Sequence, residues 1–338
     1  MKATVPLETG EGSITTNIGA VRNTGIELGL NLGVIRNKNF TWDVNLAFAR
    51  NWSKITELPN GDDVSNNWFI GERLNVLRDY TSAGIITTDG ITMRTKDGDR
   101  HYTLQEVYDT FGPGGQGLKW YEGQMAVNDW NNDGKINDED KQIFGCTDPK
   151  WTGSLSSTMT YKGFDFSFML YTKQGQWSRS YFHEQYMNYG DRGRQKVNFD
   201  YYIPAGTPVL DKNTGDVTYL SEAHIGKYPY PNNTEKTGGG YFSSSSAAVR
   251  YHKTSFVKVK NITLGYTFPK AWLSKIAVKH LRLYVNVINP FCFTDYEGFD
   301  PEWASANLTN GGPASVTYQI GANIKSVSYT HLTLPTKA

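Results

Sequence analysis

Residues 26–34, IELGLNLGV, alternate strictly between apolar side chains and polar or small ones, and residues 40–48, FTWDVNLAF, repeat the alternation. A period of two places all the apolar side chains of a segment on one face of a β-strand. The short polar stretch 36–39 separates the two segments. The sequence therefore predicts two strands joined by a tight turn, each with one continuous apolar face.

The same pattern returns further along the chain. It is found in residues 155–161 and 164–170, again in 262–268 and 281–287, and finally in 316–324. Val257 and Val259 are out of phase with Ile262, which predicts a β-bulge near Lys260 and Asn261. The connection that follows Pro269 has room for one helical turn.

Between these hairpins lie long irregular stretches, roughly residues 55–150, 174–250 and 290–314. Soluble domains rarely contain such long connections without regular structure. Outer-membrane barrels alternate short periplasmic turns with long extracellular loops, and their tilted strands need about 9–11 residues. The sequence thus favours an all-β fold, namely an antiparallel transmembrane β-barrel.

Composition excludes several other classes. The chain has 338 residues with 34 basic and 33 acidic side chains and a net charge of +1, which argues against a nucleic-acid partner. It contains no apolar run long enough for a membrane-spanning helix. Cys146 and Cys292 are its only cysteines and cannot form a disulfide framework. We expect them to be free, although an oxidising compartment would allow them to pair.

The two faces of each strand differ in chemistry. The polar face carries charged residues such as Glu27, Asp43, Lys258 and Arg282. Charge is costly against lipid, so this face is expected to line a wet interior, with the charges paired or solvated. A soluble β-sandwich would give the same alternation with the apolar side inward. Periodicity alone does not separate these two arrangements.

Several segments resemble the SusC/RagA-like TonB-linked outer-membrane transporters. They are NIGAVRNTGIEL (17–28), DWNNDGKINDED (129–140) leading to DPKWTG (148–153), YKGFD (161–165), VKNITLGYTFP (259–269) and FTDYEGFDPE (293–302). Their order along the chain makes the resemblance specific, because no single one of them is diagnostic.

This resemblance implies the C-terminal portion of a plugged barrel of about 22 strands. Residues 1–325 would be a partial receptor barrel of about eight to ten strands, without the plug and the early strands. The tail 326–338 resembles translated sequencing-adapter sequence. The parent protein is expected in the cell outer membrane, importing oligosaccharides or peptides. Its expected partners are a SusD-like surface lipoprotein, outer-membrane lipid and, through the missing N-terminal part, the TonB complex.

The acidic loop 129–140 is the clearest candidate for a metal site. Asp129, Asn131, Asp133, Lys135 and Asp140 occupy ligand positions of an EF-hand-like loop, and Gly134 permits its sharp turn. These residues predict a possible calcium site, and no other cofactor is expected. The alternative is a turn in which the Asp and Asn side chains bond to their own backbone.

Aromatic residues in the long loops are candidates for substrate contact, because flat rings with polar groups stack on sugars and anchor partners. The candidates are Trp120, Tyr121, Trp130, Trp177, Tyr181 and Tyr186. The alternatives are an aromatic girdle at the membrane boundary and packing within folded loops.

No catalytic constellation is evident, so we predict that the protein is not an enzyme. The leading hypothesis is the importer, and we expect the fragment alone not to transport. The alternative is a soluble calcium-dependent carbohydrate-binding β-sandwich. A secreted glycoside hydrolase is a third class, which would need a functional carboxylate pair in the loops.

Overall fold

The chain begins with short strands and a long hairpin. The computed structural model describes residues 2–4, 13–15, 19–111, 118, 121–186, 200–230, 250–276, 278–305 and 314–326. Strands β1 (Lys2–Thr4) and β2 (Ser13–Thr15) pair with each other. Strands β3 (Ala20–Arg36) and β4 (Phe40–Glu57) form the predicted hairpin. Both strands are longer than their alternating segments, because the two strands continue to pair through the polar residues beyond those segments.

The connection 58–150 contains regular structure, where the sequence predicted an irregular stretch. Its elements are β5 (Val76–Asp79), β6 (Ser82–Ile85), β7 (Ile91–Thr95), β8 (Gly98–Tyr102), helix α1 (Leu104–Phe111), β9 (Met125–Val127) and β10 (Gln142–Cys146). These strands are only three to five residues long, too short for the period-two pattern to be recognised.

A second long hairpin follows, and a second long connection comes after it. The hairpin is β11 (Trp151–Tyr161) and β12 (Phe164–Gln174), joined at Lys162 and Gly163 as predicted. The described elements of the connection 175–255 are β13 (Trp177–Arg179), α2 (Tyr181–Tyr186), β14 (Pro208–Leu210), β15 (Val217–Tyr219) and β16 (Tyr251–Lys253).

The C-terminal part consists of three long strands. They are β17 (Phe256–Thr267), β18 (Val278–Phe293) and β19 (Thr317–Ser326), with the predicted helical turn α3 (Lys270–Leu273) between the first two. Ser326 ends β19, and the rest of the predicted adapter-like tail lies outside the described residues. None of the described helices has the length and apolar character needed to cross a membrane.

Seven long strands form one antiparallel sheet, which we call the wall. Their order is β3-β4-β11-β12-β17-β18-β19. The sequence predicted eight to ten strands, whereas the described residues form seven wall strands. The number is lower because β3, β4 and β18 contain 16 to 18 residues each and so use more of the chain per strand. Within the described residues, β3 and β19 form the two edges of the wall, so the sheet is open there.

Short and long connections are segregated to opposite ends of the wall. The short ones are 37–39, 162–163 and 268–277, and the long ones are 58–150, 175–255 and 294–316. Because consecutive wall strands are antiparallel, all three short connections lie at one end and all three long ones at the other. The predicted loop asymmetry is therefore confirmed.

The apolar face of the wall is open rather than enclosed. Leu28, Phe166 and Val285 expose 57%, 36% and 45% of their surface, and Leu46 is half-buried. No second sheet among the described residues packs on this face. A sandwich would bury these side chains between two sheets, so the arrangement favours the barrel wall over the soluble alternative.

Aromatic side chains flank the aliphatic part of this face at both ends. Near the short connections the Phe164 and Tyr266 rings are in contact, with centroids 4.5 Å apart, and Trp272 packs near Phe268. Near the long connections Phe291 and Phe293 stack with centroids 6.5 Å apart. Phe291 pairs with Val259 of β17, and the seven steps from Val259 to Tyr266 cover about 23 Å along the strand. The aliphatic part of the face is thus bounded by aromatic rings at both ends, as in a membrane barrel between its two girdles.

The predicted bulge is present in β17. Pairing with β18 shifts register between Val259 and Asn261, and pairing with β12 shifts at the same place. Lys260 is thus the extra residue. A bulge sends two successive side chains to the same side of a strand, and here the polar side receives both Lys260 and Asn261.

Leu30 lies at the centre of the first apolar run, and its neighbour Asn31 points to the opposite face of β3. In the full-length protein, Leu30→Arg should lower the free energy of unfolding by about 2–4 kcal/mol, because a guanidinium near the bilayer midplane is poorly solvated. Asn31→Arg is the matched control and should be close to neutral. Urea unfolding in lipid vesicles measures both, and equal destabilisation by the two variants would refute the assignment of faces.

Candidate functional site: a loop body anchored to the wall

The described residues of the three long connections, 58–150, 175–255 and 294–316, pack together into one unit, the loop body. Its main core lies within the first connection and comprises Ile86, Ile91, Met93, Tyr102, Val107, Phe111, Tyr121 and Ala126. This core gives the first connection a fixed shape, because fully buried aromatic and aliphatic side chains of this kind pack closely.

A second cluster joins the first connection to the second. Ile85 and Met125 pack against Tyr202 and Tyr228. Gly123 has φ +80°, and a Cβ there would lie 2.8 Å from the Tyr202 ring, so the close approach requires glycine. The Tyr202 hydroxyl also donates to Glu122 over 2.6 Å. The two connections are therefore held in fixed positions relative to each other.

Four charged residues fasten the third connection to the inner face of the wall, and we call them the clasp: Lys258, Lys260, Asp300 and Glu302. The Lys258 ammonium lies 2.9 and 2.7 Å from the two carboxylate oxygens of Asp300, and both side chains are 3% exposed. Lys258 and Lys260 each donate to the Glu302 carboxylate over 2.8 Å. Buried charges need such pairing to offset the loss of hydration.

Local structure explains why these groups meet. Lys258 and Lys260 are two residues apart and therefore share one side of β17, and a short 3-10 turn at Pro301–Trp303 holds the two carboxylates beside them. Asp300 caps that turn by accepting the Glu302 amide over 2.9 Å. Burial alone would raise the pKa of Glu302, but hydrogen bonds from both lysines outweigh burial and hold the pKa below its ordinary value.

A second ion pair crosses the inner face nearer the short connections. Arg282 of β18 donates to both carboxylate oxygens of Asp165 in β12, over 2.9 and 2.5 Å. Gly265 lies between them in β17, and a Cβ there would lie within 2.7 Å of both side chains. Asp43 pairs with Arg36 at 2.8 Å. The expectation that polar-face charges are paired is thus confirmed for Asp43, Lys258 and Arg282.

A histidine and tyrosine cluster links the second and third connections. His183 is fully buried, with Nδ1 2.6 Å from the Ser180 hydroxyl and Nε2 3.2 Å from that of Tyr228. Tyr228 also donates to Glu297. The His183 ring stacks on His252 at 3.6 Å. Burial, then the neighbouring His252, lowers the pKa of His183 to about 2, so this imidazole stays neutral.

The acidic loop folds around two buried carboxylates. Asp129 accepts the backbone amides of Asp133 and Gly134 over 3.2 and 2.9 Å. Asp140 accepts the amides of Trp130 and Asn137, each over 2.8 Å. Burial raises the pKa of Asp140 above its ordinary value. These contacts match the turn interpretation, in which Asp side chains bond to their own backbone.

The calcium interpretation stays a prediction. Within the described residues, His, Cys, Asp and Glu side chains form no group of three or more that is arranged to hold a metal ion. Asn131 donates its amide to Asp133 and Glu139, and Asp133 accepts the Lys135 amide. The predicted ligands are therefore close together, but they bond to each other and to backbone groups.

The described aromatic candidates lie in different parts of the loop body, and their substrate contacts stay predictions. Tyr121 is fully buried in the main core. Trp177 packs against Phe144 with centroids 5.5 Å apart, and Tyr181 donates its backbone amide to Ala304. Trp130 is half-buried beside Asp140. Trp120 and the side chain of Tyr186 lie outside what the structure describes.

Sequence reasoning missed most of the groups that hold the loop body together. The sequence around His183 has no ligand-like spacing, and Asp300 and Glu302 stand out only as members of a segment that resembles a family. That segment, 293–302, was the one available signal, since it contains both clasp acids. Cys146 and Cys292 are both free, as expected.

A two-faced antiparallel wall, with aromatic rings at both ends of its apolar face, paired charges on the opposite face and folded loops at one end, is the arrangement found in the walls of outer-membrane β-barrels. The chain is 27% identical to a TonB-dependent receptor of Formosa agariphila and 28% identical to the TonB-dependent receptor SusC of Bacteroides thetaiotaomicron. Each match covers 95% of this chain. The resemblance to SusC/RagA-like TonB-dependent receptors is thereby confirmed, and the relatives are receptors rather than enzymes.

Solved structures agree on the fold. The RagAB peptide transporter superposes with a TM-score of 0.57 and 20% identity, covering 95% of this chain and 31% of that chain. The RagAB peptide importer in its open-open state gives the same TM-score at 19% identity. No protein-family profile matches. The chain spans about a third of the length of its relatives, 32% of the Formosa receptor and 28% of SusC.

Lys258→Met should release the third connection, because removing one partner of a buried ion pair leaves its acids unpaired at a cost of about 3–5 kcal/mol. We expect amide hydrogen exchange in residues 294–305 of the full-length protein to speed up about a hundredfold or more. Lys260→Met is the control and should act more weakly, since Lys260 is 29% exposed and Glu302 retains Lys258. Unchanged exchange in Lys258→Met would contradict the clasp.

Asp140→Asn should weaken the acidic loop by about 1–3 kcal/mol, because an amide cannot accept all the backbone N–H groups that the carboxylate accepts. Hydrogen exchange across residues 129–140 in the full-length protein measures this effect. The calcium prediction is tested in the same experiment by adding EGTA, which should speed exchange in the wild type and not in Asp133→Ala. A wild type insensitive to EGTA would eliminate calcium and leave only the turn.

Proposed function

We propose that this chain forms the C-terminal part of the wall and outer loops of a TonB-dependent importer in the cell outer membrane. The observation that carries the proposal is the wall itself, with an exposed apolar face bounded by aromatic girdles. Such a face needs an apolar neighbour, and the acyl chains of a membrane supply one. Its opposite face carries the paired charges Asp165 and Arg282, as expected of a wet lumen.

The imported solutes are proposed to be oligosaccharides or peptides. SusC and the RagAB peptide transporter support this range, since the chain resembles the first in sequence and the second in fold. A SusD-like lipoprotein is the proposed partner at the outer surface, where the loop body projects from the wall. Coupling to TonB is proposed to lie in the N-terminal part that the longer relatives have.

The full-length protein provides the test. A deletion strain should lose uptake of the cognate oligosaccharide or peptide, and uptake should return with Asn31→Arg but not with Leu30→Arg. Uptake should also stop when TonB is deleted, and a surface lipoprotein should co-purify in detergent. Uptake that continues without TonB, or a protein that stays in solution without detergent, would refute the proposal.

The fragment by itself should not form a pore. Its wall ends at β3 and β19, whose outer edges are unpaired among the described residues. Lipid cannot satisfy free N–H and C=O groups, so an open sheet of this kind is not expected to insert. Heat-modifiable migration together with channel conductance of the purified fragment would contradict this expectation.

A further inference from the structure

Three cations lie on the outward face of the wall, at the end that carries the long connections. They are Arg22 of β3 and Arg50 and Lys54 of β4, and we call them the basic cluster. The pairing of β3 with β4 has no register shift from Arg22 to Leu32, and it places Lys54 opposite Arg22. Side chains two residues apart along a strand share a face, so the basic cluster continues the apolar face of this hairpin toward the outer surface.

The basic cluster has no acidic partner in the part of the chain that the structure describes. None of its three side chains takes part in an ion pair within 4 Å with another described residue. Glu27, the one acid between residues 22 and 32 of β3, pairs with Ala49 and points to the opposite face. Arg22 and Lys54 are directly opposite each other, and like charges in that position repel. A bound anion would remove this repulsion.

Trp52 lies between Arg50 and Lys54 on the outward face of β4. The guanidinium carbon of Arg50 is 4.6 Å from the centroid of the Trp52 ring, and 42% of the tryptophan surface is exposed. A guanidinium stacked on a ring keeps the N–H groups at its edge free to bind a phosphate. Tryptophan is also enriched at the headgroup level of membrane proteins. The basic cluster thus combines positive charge with an interfacial aromatic ring.

The basic cluster begins where the apolar run of β3 ends. Arg50 is opposite Ile26, the apolar residue of that run nearest to the long connections. The four steps from Ile26 to Arg22 cover about 13 Å along the strand, or about 9 Å along the membrane normal at the usual tilt of about 45°. The headgroups of a bilayer lie at this height, just outside the hydrocarbon layer. The cations therefore avoid the cost of a charge among acyl chains and meet headgroups instead.

Outward cations near the long connections are confined to β3 and β4 within the described wall. The outward positions of the next four strands at this end are neutral, and they include Trp151, Gly153, Thr172, Val257, Phe291 and Phe293. The basic cluster is therefore a local site on one hairpin, and it is not part of a charged row that follows the rim of the described wall.

We propose that the basic cluster binds the phosphate monoester of lipid A in the outer leaflet. Such a phosphate carries about −1.5 to −2 charges at neutral pH, which three cations match better than the single charge of a phospholipid phosphodiester. Arg22 and Arg50 can each bind two phosphate oxygens, while the acyl chains of the same molecule cover the apolar run 26–32. A free phosphate ion or an acidic peptide would leave that run uncovered. The proposal rests on the membrane location proposed above and goes beyond import, since it gives the lipid face of the wall a specific ligand.

Native mass spectrometry of the full-length protein in uncharged detergent tests the site, by measuring the binding of lipid A, dephosphorylated lipid A and phosphatidylglycerol. We expect lipid A to bind the wild type more tightly than the other two lipids. The combined variant Arg22→Gln, Arg50→Gln and Lys54→Gln should bind lipid A about a hundredfold more weakly, because each cation near an anionic membrane surface contributes roughly a factor of five. Inorganic phosphate at millimolar concentration should not displace lipid A, since it has no acyl chains.

The matched control combines Lys38→Gln, Lys162→Gln and Lys270→Gln. These lysines are exposed beside the short connections, so the control loses the same charge at the opposite end of the wall and should bind lipid A as the wild type does. Melting temperatures separate binding from folding. Without lipid, the cluster variant should melt at the same temperature or higher, because it loses the repulsion between Arg22 and Lys54. Added lipid A should raise the melting temperature of the wild type and the control only.

Wild-type affinity in the cluster variant, an equal loss in the control, or binding of either comparison lipid as tight as that of lipid A would overturn the inference. Displacement of lipid A by inorganic phosphate, or a lower melting temperature of the cluster variant without lipid, would also overturn it. Uptake that persists alongside any of these results leaves the import proposal standing, whereas a protein that stays in solution without detergent ends both.

Discussion

Backbone hydrogen bonding in a medium without water is the constraint on which this structure depends. Lipid offers no partner to N–H and C=O groups, so strands that cross it must pair along their full length. Seven strands lie side by side here in the order β3-β4-β11-β12-β17-β18-β19, and the five inner ones are paired on both sides, with register shifts at β-bulges. Once the backbone is satisfied in this way, each side chain has only two directions available, outward to lipid or inward to water.

This division explains where charge is found in the molecule. Outward positions carry Leu, Ile, Val and Phe, with aromatic rings at both ends of the apolar band. Inward charges are matched with opposite charges, and Gly265 provides the space in which Arg282 and Asp165 meet across an intervening strand. The glycine is thus required by an ion pair between two other strands rather than by a turn.

The loops at one end are built differently from the wall. They have buried cores of their own, and contacts such as the clasp and the His183 cluster attach them to the wall and to one another. Because Lys258 and Asp300 are almost fully buried, residues 294–305 of the third connection are held against the inner surface of the wall.

Sequence by itself determined the wall, because period-two alternation over nine or more residues has few structural explanations and the faces follow from it. It also located the bulge at Lys260, since a single extra residue changes the phase of the alternation. The loop body was decided only by tertiary structure. Its strands are too short to show a period, and the partners Lys258 and Asp300 are 42 residues apart. His183 and Glu297 meet at Tyr228 through packing between segments distant in the chain. The spacing of residues along the sequence does not predict such tertiary contacts, whereas the period of a strand is a local property that the sequence shows directly.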